Sequence, residues 1–139
     1  MKRMRQALPG IIRPDVIVTE NGFALTELDS VPGGFGLTSA LMSFYENPLW
    51  EIEGDGIPSL FYKMAESISK ETSPNFVIVV SDESKDYRSE MQYLGSILNR
   101  KGVYVVHPKE IIFKEEGLFI KNEEKWVRID VLYLSLIHI

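Results

Sequence analysis

The pattern of apolar and polar residues predicts an α/β chain that starts with a β-hairpin. Two apolar runs, residues 16–18 and residues 23–25, flank the turn sequence E-N-G at residues 20–22. β-Branched and aromatic residues favour strands, and Asn-Gly is a strong hairpin signal because both residues adopt positive φ readily. A glycine-rich loop follows at residues 32–36, and apolar spacing then predicts a helix over residues 37–45.

The second half of the chain predicts a parallel β-α-β unit. Residues 76–80 are a continuous, mostly β-branched apolar run, which is typical of a strand buried on both faces of a parallel sheet. Apolar residues recur at helical spacing over residues 87–98, and Val103 to Val106 form the next strand. A β-α-β connection is almost always right-handed. Further elements are an amphipathic helix at residues 58–70 and short strands near residues 111–113, 118–120 and 126–129.

Four charged residues lie near the open end of the predicted hairpin. Arg13 and Asp15 open the first strand, while Glu27 and Asp29 end the second, two residues apart and therefore on one face. Carboxylates on one face repel unless a positive charge lies between them. Mg²⁺ fits this position because it takes hard oxygen ligands and often shares them with phosphates. The alternative is a solvated acidic edge strand.

Two other segments have both a functional and a structural interpretation. The glycine loop leads directly into a helix, where backbone N–H groups can bind an anion, but glycines also simply allow a sharp turn. Ser81-Asp82-Glu83 follows a buried strand at an edge where open α/β sheets bind ligands. The same three residues suit a helix N-cap with acidic residues in the first turn, and we favour the cap.

The hairpin sequence resembles the catalytic hairpin of ATP-grasp ligases such as the D-alanine–D-alanine ligases. The shared pattern is R-x-D, an apolar run, an N-G turn, a second apolar run and E-x-D-S-x-P-G. Two features depart from the family: Pro14 lies inside the R-x-D element, and Asp29 replaces the more usual Asn. The resemblance implies two Mg²⁺ ions, ATP as co-substrate, and the following site residues: Arg13 as the catalytic arginine, Asp15, Glu27 and Asp29 as metal ligands, and Ser30, Gly33 and Gly34 around the substrate carboxylate.

The order of the two halves resembles the circularly permuted ATP-grasp family, including glutathionylspermidine synthase-like proteins. In ordinary ATP-grasp enzymes the β-α-β unit precedes the hairpin, whereas here the segments VSDES, RKGVYVVHP and IDVLY follow it. The resemblance extends from about residue 8 to residue 133. It implies a carboxylate-amine ligase that joins a small-molecule or peptide carboxylate to an amine through an acyl phosphate. The residues that bind ATP are expected downstream of Tyr133, so the chain alone is expected to be inactive. The alternative is a non-catalytic α/β module that binds a metal or a phosphate.

These patterns divide the chain into four segments within an incomplete α/β domain. Residues 1–45 carry the catalytic hairpin, the glycine loop and the following helix, and residues 46–73 a connecting loop and the amphipathic helix. Residues 74–133 form a pre-ATP-grasp-like, Rossmann-like parallel-sheet unit. We expect residues 134–139, LSLIHI, to be a non-native tail because a common transposon-based sequencing adapter encodes this hexapeptide. We also expect Met1 to be internal to a longer protein.

Composition excludes several classes of function. The chain has 139 residues, a formal net charge of −5 and no cysteine. An acidic chain is not expected to bind nucleic acid, and the absence of cysteine excludes disulfides, thiolate catalysis and zinc-thiolate sites. With only two histidines, a Ser-His-Asp triad is not expected, and no G-x-G-x-x-G or Walker A motif occurs. The sequence has no apolar run long enough to cross a bilayer, so we expect a cytoplasmic protein with no membrane partner.

Overall fold

The computed structural model describes residues 10–30, 33–45, 56–98 and 102–134. The helices are α1 (Phe35–Phe44), α2 (Ile57–Ser69) and α3 (Arg88–Leu98). The strands are β1 (Arg13–Thr19), β2 (Gly22–Asp29), β3 (Phe76–Val79), β4 (Val103–Val106), β5 (Ile111–Lys114), β6 (Gly117–Asn122), β7 (Lys125–Arg128) and β8 (Val131–Leu134). In the described part of the chain, 3₁₀ turns are formed by Lys85–Tyr87 and Pro108–Glu110. The chain is thus of the α/β class, as the sequence predicts.

The chain divides into two compact units. The hairpin unit is Met1–Pro32, and the α/β unit is Gly33–Ile139. The glycine loop and α1 belong to the α/β unit by this division, although they follow the hairpin directly in sequence. Among the described residues, no helix is long and apolar enough to cross a membrane.

In the hairpin unit, β1 and β2 pair antiparallel, as predicted. The turn differs in detail from the expectation. Thr19 pairs with Gly22, so Glu20 and Asn21 form the loop itself. Gly22 has φ of +120°, whereas Asn21 is not among the described non-glycine residues with positive φ. Of the Asn-Gly pair, only the glycine therefore adopts a positive φ.

A three-stranded parallel sheet is the centre of the α/β unit. Its strand order is β4-β3-β8, with β3 parallel to both neighbours. The predicted β-α-β unit is therefore observed, with α3 connecting β3 to β4. All four residues of β3 are buried, which explains its continuous apolar sequence. Leu134 pairs with Val79 and so continues β8, whereas residues 135–139 of the expected tail lie outside the described part of the chain.

Aromatic residues pack one end of this sheet against the helices. The ring of Phe61 on α2 makes edge contacts with Phe35, Phe76 and Tyr133 at centroid distances of 5.2, 6.0 and 5.5 Å. Phe61 and Phe76 are each 1% exposed, so these contacts lie inside the core. Since Phe35 is the first residue of α1, this aromatic cluster attaches α1 to the sheet.

The remaining strands form a separate antiparallel sheet in the order β5-β6-β7. Ile120 of β6 is 2% exposed and belongs to the same buried cluster as Val77 and Val79 of β3. On the outer side, the ammonium group of Lys114 lies 3.8 Å from the centroid of the Trp126 ring. The antiparallel sheet thus packs through one face against the parallel sheet.

Candidate functional site

Arg13 connects two of the carboxylates at the open end of the hairpin. Its Nε donates to Asp15 Oδ1 at 3.0 Å, and its Nη2 lies 3.5 Å from Asp15 Oδ2 and 3.6 Å from Asp29 Oδ2. The hydrogen bond that Arg13 donates to Asp15 is the largest cause of the raised pKa of Arg13. Desolvation lowers this pKa to a smaller extent, and the charges of Asp15, Asp29 and Glu27 raise it further. The guanidinium thus serves as a permanent counter-charge for this group of acids.

The strand register places all four charged residues on one face. Arg13 pairs with Asp29, and Asp15 pairs with Glu27. Directly opposed residues of an antiparallel pair share a face, as do residues two apart on one strand. We call these four residues the charged cluster. The sequence prediction that Arg13, Asp15, Glu27 and Asp29 meet at one end of a hairpin therefore agrees with the backbone register.

A β-bulge, which the sequence analysis did not predict, decides the composition of this face. Asp15 pairs with Glu27, but the next residue, Val16, pairs with Leu25, which leaves Thr26 as the extra residue. Without the bulge, Leu25 would lie on the same face as Glu27, because residues two apart share a face. The Thr26 hydroxyl donates to the carbonyl of Asp15 at 2.9 Å and holds the bulge closed. The bulge thus separates apolar residues from acidic ones on the same strand.

The hairpin is consequently amphipathic. Its second face, here called the apolar face, consists of Pro14, Val16, Val18, Phe23, Leu25 and Leu28. Val18 is 75% exposed and Phe23 is 77% exposed. A two-stranded hairpin is marginally stable in water by itself. Its stability therefore requires that the apolar face be covered by something other than the two strands.

The donor chemistry of the charged cluster fits a hard divalent cation. Three carboxylates offer oxygen ligands of the kind that Mg²⁺ prefers, and the cluster keeps a formal charge of −2 after Arg13 is counted. In the described residues, however, no three His, Asp or Glu side chains already stand in metal-binding positions. Arg13 balances Asp15 and Asp29 in this arrangement, so the carboxylates must reorient for a metal to bind.

The residues expected around a substrate carboxylate fall in both units. Ser30 is an exposed residue directly after β2, in the hairpin unit. Gly33 and Gly34 begin the α/β unit, and Gly34 is the N-cap of α1 with φ of 86°. This left-handed conformation requires glycine and gives the second glycine of the loop a structural role. Residues 31 and 32 between them lie outside the described part of the chain.

At the carboxyl edge of the parallel sheet, the interpretation of Ser81-Asp82-Glu83 as a helix cap is wrong. The 3₁₀ turn that leads into α3 begins only after Ser84. Asp82 Oδ1 instead lies 3.2 Å from His107 Nε2, and Asp82 Oδ2 lies 3.9 Å from Lys109 Nζ. His107 Nδ1 accepts the backbone N–H of Lys109, which leaves Nε2 to carry the ring proton toward Asp82. The acidic loop after β3 is thus tied to the loop after β4.

Glu83 in the same loop has a lowered pKa. The hydrogen bond from its own backbone N–H is the largest cause of the lowering, and the charge of His107 adds weakly to it, while desolvation and the charge of Asp82 oppose it. The side chain is exposed, so this shift describes local hydrogen bonding and adds little to stability.

Comparison with known proteins finds no family model, no curated protein and no solved structure that matches this chain. A functional assignment therefore depends on the residues of the hairpin, their geometry and the order of the two halves.

Proposed function

We propose that this chain is part of an ATP- and Mg²⁺-dependent carboxylate-amine ligase of the circularly permuted ATP-grasp type. The observation that carries the proposal is the charged cluster, in which one arginine and three carboxylates share a face at the open end of a hairpin. An acidic edge strand that is merely solvated has no need of an arginine held between two of its carboxylates, nor of a bulge that brings Glu27 and Asp29 onto the face of Arg13 and Asp15.

In this proposal the three acids and the arginine have separate roles. Asp15, Glu27 and Asp29 would hold Mg²⁺, which when bound neutralises charge on the phosphates of ATP. Arg13 keeps its charge at any physiological pH and is already positioned by Asp15, so it can face the negative charge that develops during transfer. A preorganised cation of this kind needs no reorganisation during the reaction.

The proposed reaction has two chemical steps. The carboxylate of the first substrate attacks the γ-phosphate of ATP and forms an acyl phosphate and ADP. The amine of the second substrate then attacks the acyl carbon, inorganic phosphate leaves, and an amide bond forms. Ser30, Gly33 and Gly34 would contact the substrate carboxylate, and the residues that bind the nucleotide would lie downstream of Tyr133 in a longer parent protein.

Metal binding by this chain is the first test. Titration calorimetry with MgCl₂ should show that Glu27→Gln lowers the affinity for Mg²⁺ by at least about tenfold. Loss of a residue that only hydrogen-bonds to a metal ligand already lowers metal affinity by about that factor. The control is Glu20→Gln, which removes the same charge from the turn at the other end of the hairpin and should leave the affinity unchanged. Equal losses in the two variants would mean that only net charge attracts the ion, and the metal-ligand assignment would be rejected.

Turnover in the parent protein is the second test. ADP release that depends on both a carboxylate and an amine should fall by about two orders of magnitude in Glu27→Gln, the usual scale for loss of one preorganised electrostatic contact. Near-normal turnover in that variant would rule out the role of Glu27. Metal binding without any ATP turnover would instead support the non-catalytic module.

A further inference from the structure

Helix α1 begins without a capping group of its own. Its N-cap is Gly34, which has no side chain to accept a hydrogen bond, and its first turn contains no acidic residue. The first intrahelical hydrogen bond runs from Thr38 N to Gly34 O at 2.8 Å. The N–H groups before Thr38 therefore need acceptors from elsewhere, and the positive end of the helix dipole favours a negative one.

A carboxylate from α3 supplies one of these acceptors. The backbone N–H of Gly36 donates to Glu90 Oε1 at 3.1 Å, across 54 positions of sequence. The two helices approach so closely that a Cβ on Gly36 would lie 2.5 Å from the backbone oxygen of Glu90 and 2.8 Å from its Cγ. Glycine at position 36 thus allows the contact, and Glu90 gives it a charge-assisted hydrogen bond.

We propose that Glu90 is the positioning residue of the glycine loop. By binding the first turn of α1 it holds Gly34, and with it the entry of the loop, at a fixed place on the α/β unit. The edge contact of Phe35 with Phe61 attaches the same turn from another side. The role in ligand binding rests on the function proposed above, which places the substrate carboxylate at Gly33 and Gly34; the role in fixing the loop does not.

Two possible roles of Glu90, positioning the loop and competing with anions for the N-terminus of α1, can be distinguished by experiment. If Glu90 positions the loop, its hydrogen-bond acceptor matters and its charge is secondary, so Glu90→Gln should preserve the loop and Glu90→Ala should not. If Glu90 merely competes with anions for the N-terminus of α1, both variants should bind anions more tightly than the native chain. Asp86→Asn is the matched control, because it removes an acidic charge from the exposed 3₁₀ turn that precedes α3.

The experiment is amide NMR of the whole chain, with sodium acetate as the probe carboxylate. The Gly36 amide signal should shift strongly in Glu90→Ala, where its hydrogen-bond acceptor is lost, and should change little in Asp86→Asn. Hydrogen exchange of the Gly36 and Thr38 amides should accelerate by roughly tenfold in Glu90→Ala, the usual scale for loss of one helix cap, and much less in Glu90→Gln.

Acetate binding tests the role of Glu90 and the proposed substrate-carboxylate site separately. Shifts of the Gly33 and Gly34 signals that weaken severalfold in Glu90→Ala and recover in Glu90→Gln would support both. Measurable acetate binding that is equal in all variants, or tighter in both Glu90 variants, would overturn the role of Glu90 in ligand binding. Unchanged hydrogen exchange of the Gly36 amide in Glu90→Ala would overturn its role in positioning the loop. If acetate shifts neither glycine in the native chain but the exchange pattern holds, Glu90 still positions the loop and the carboxylate pocket of the proposed function is rejected.

Discussion

Replacing Gly36 by alanine should destabilise the α/β unit, although alanine is the better helix former. In an unconstrained helix interior the change from glycine to alanine stabilises by about 1 kcal/mol. Here the new Cβ would lie 2.5 Å from the backbone oxygen of Glu90, a distance that real Cβ atoms essentially never show. A backbone atom moves only if α3 moves, and overpacking of this kind costs about 1–3 kcal/mol. With the propensity gain subtracted, we expect a net loss of up to about 2 kcal/mol.

Urea unfolding followed by far-UV circular dichroism measures this loss, with Gly95→Ala as the control. Gly95 also lies within a helix, but its Cβ would meet only a methyl group of the half-buried Val105, at 2.8 Å. That methyl belongs to a side chain and can shift at lower cost than a backbone oxygen, so Gly95→Ala should lose less stability than Gly36→Ala. A Gly36→Ala chain at least as stable as the native one would refute the close approach of α1 and α3.

A double variant examines which atom of Glu90 causes the loss of stability in Gly36→Ala. Glu90→Ala removes the Cγ at 2.8 Å but leaves the backbone oxygen at 2.5 Å. The cost of Gly36→Ala should therefore persist in the Glu90→Ala background. Full rescue there would show that the side chain, rather than the backbone, limits the approach of the two helices.

Three further predictions concern other parts of the α/β unit. Phe61→Ala should cost about 3–5 kcal/mol in urea unfolding because its ring is buried among three others, whereas Leu60→Ala, at a 43% exposed position, should cost about 1 kcal/mol or less. NMR titration should give Glu83 a pKa below its ordinary value. Its small stabilising contribution is then present above the unfolded-state pKa and is lost as the pH falls through the folded-state pKa. A pKa of Glu83 above its ordinary value would contradict the hydrogen bond to its carboxylate. Lys114→Met should lower the thermal stability by about 0.5–1 kcal/mol through loss of the contact with Trp126, and an unchanged melting temperature would exclude that contribution.

The local elements follow from the sequence because their causes are local. The hairpin depends on two strand-forming runs and a glycine at one turn, and β3 depends on an unbroken β-branched run that both of its faces bury. The approach of Arg13, Asp15, Glu27 and Asp29 to one end of the hairpin also follows from the position of the turn. Their common face does not, because on a regular ladder Asp15 would oppose Thr26 and the bulge is needed to pair it with Glu27. The chemical roles of these residues come from the resemblance and stay predictions.

Other features were decided only by the tertiary structure. Residue types do not reveal the bulge at Thr26, since the odd-numbered residues from Phe23 to Asp29 would share one face on a regular strand, and a hydrogen bond to Asp15 on the other strand holds the bulge. Nor could the sequence assign Glu90 to Gly36 or Asp82 to His107. Each of these contacts joins residues that lie far apart in the chain, and such partners are selected by how the helices and strands pack, whereas periodicity and turn chemistry carry information about neighbours only.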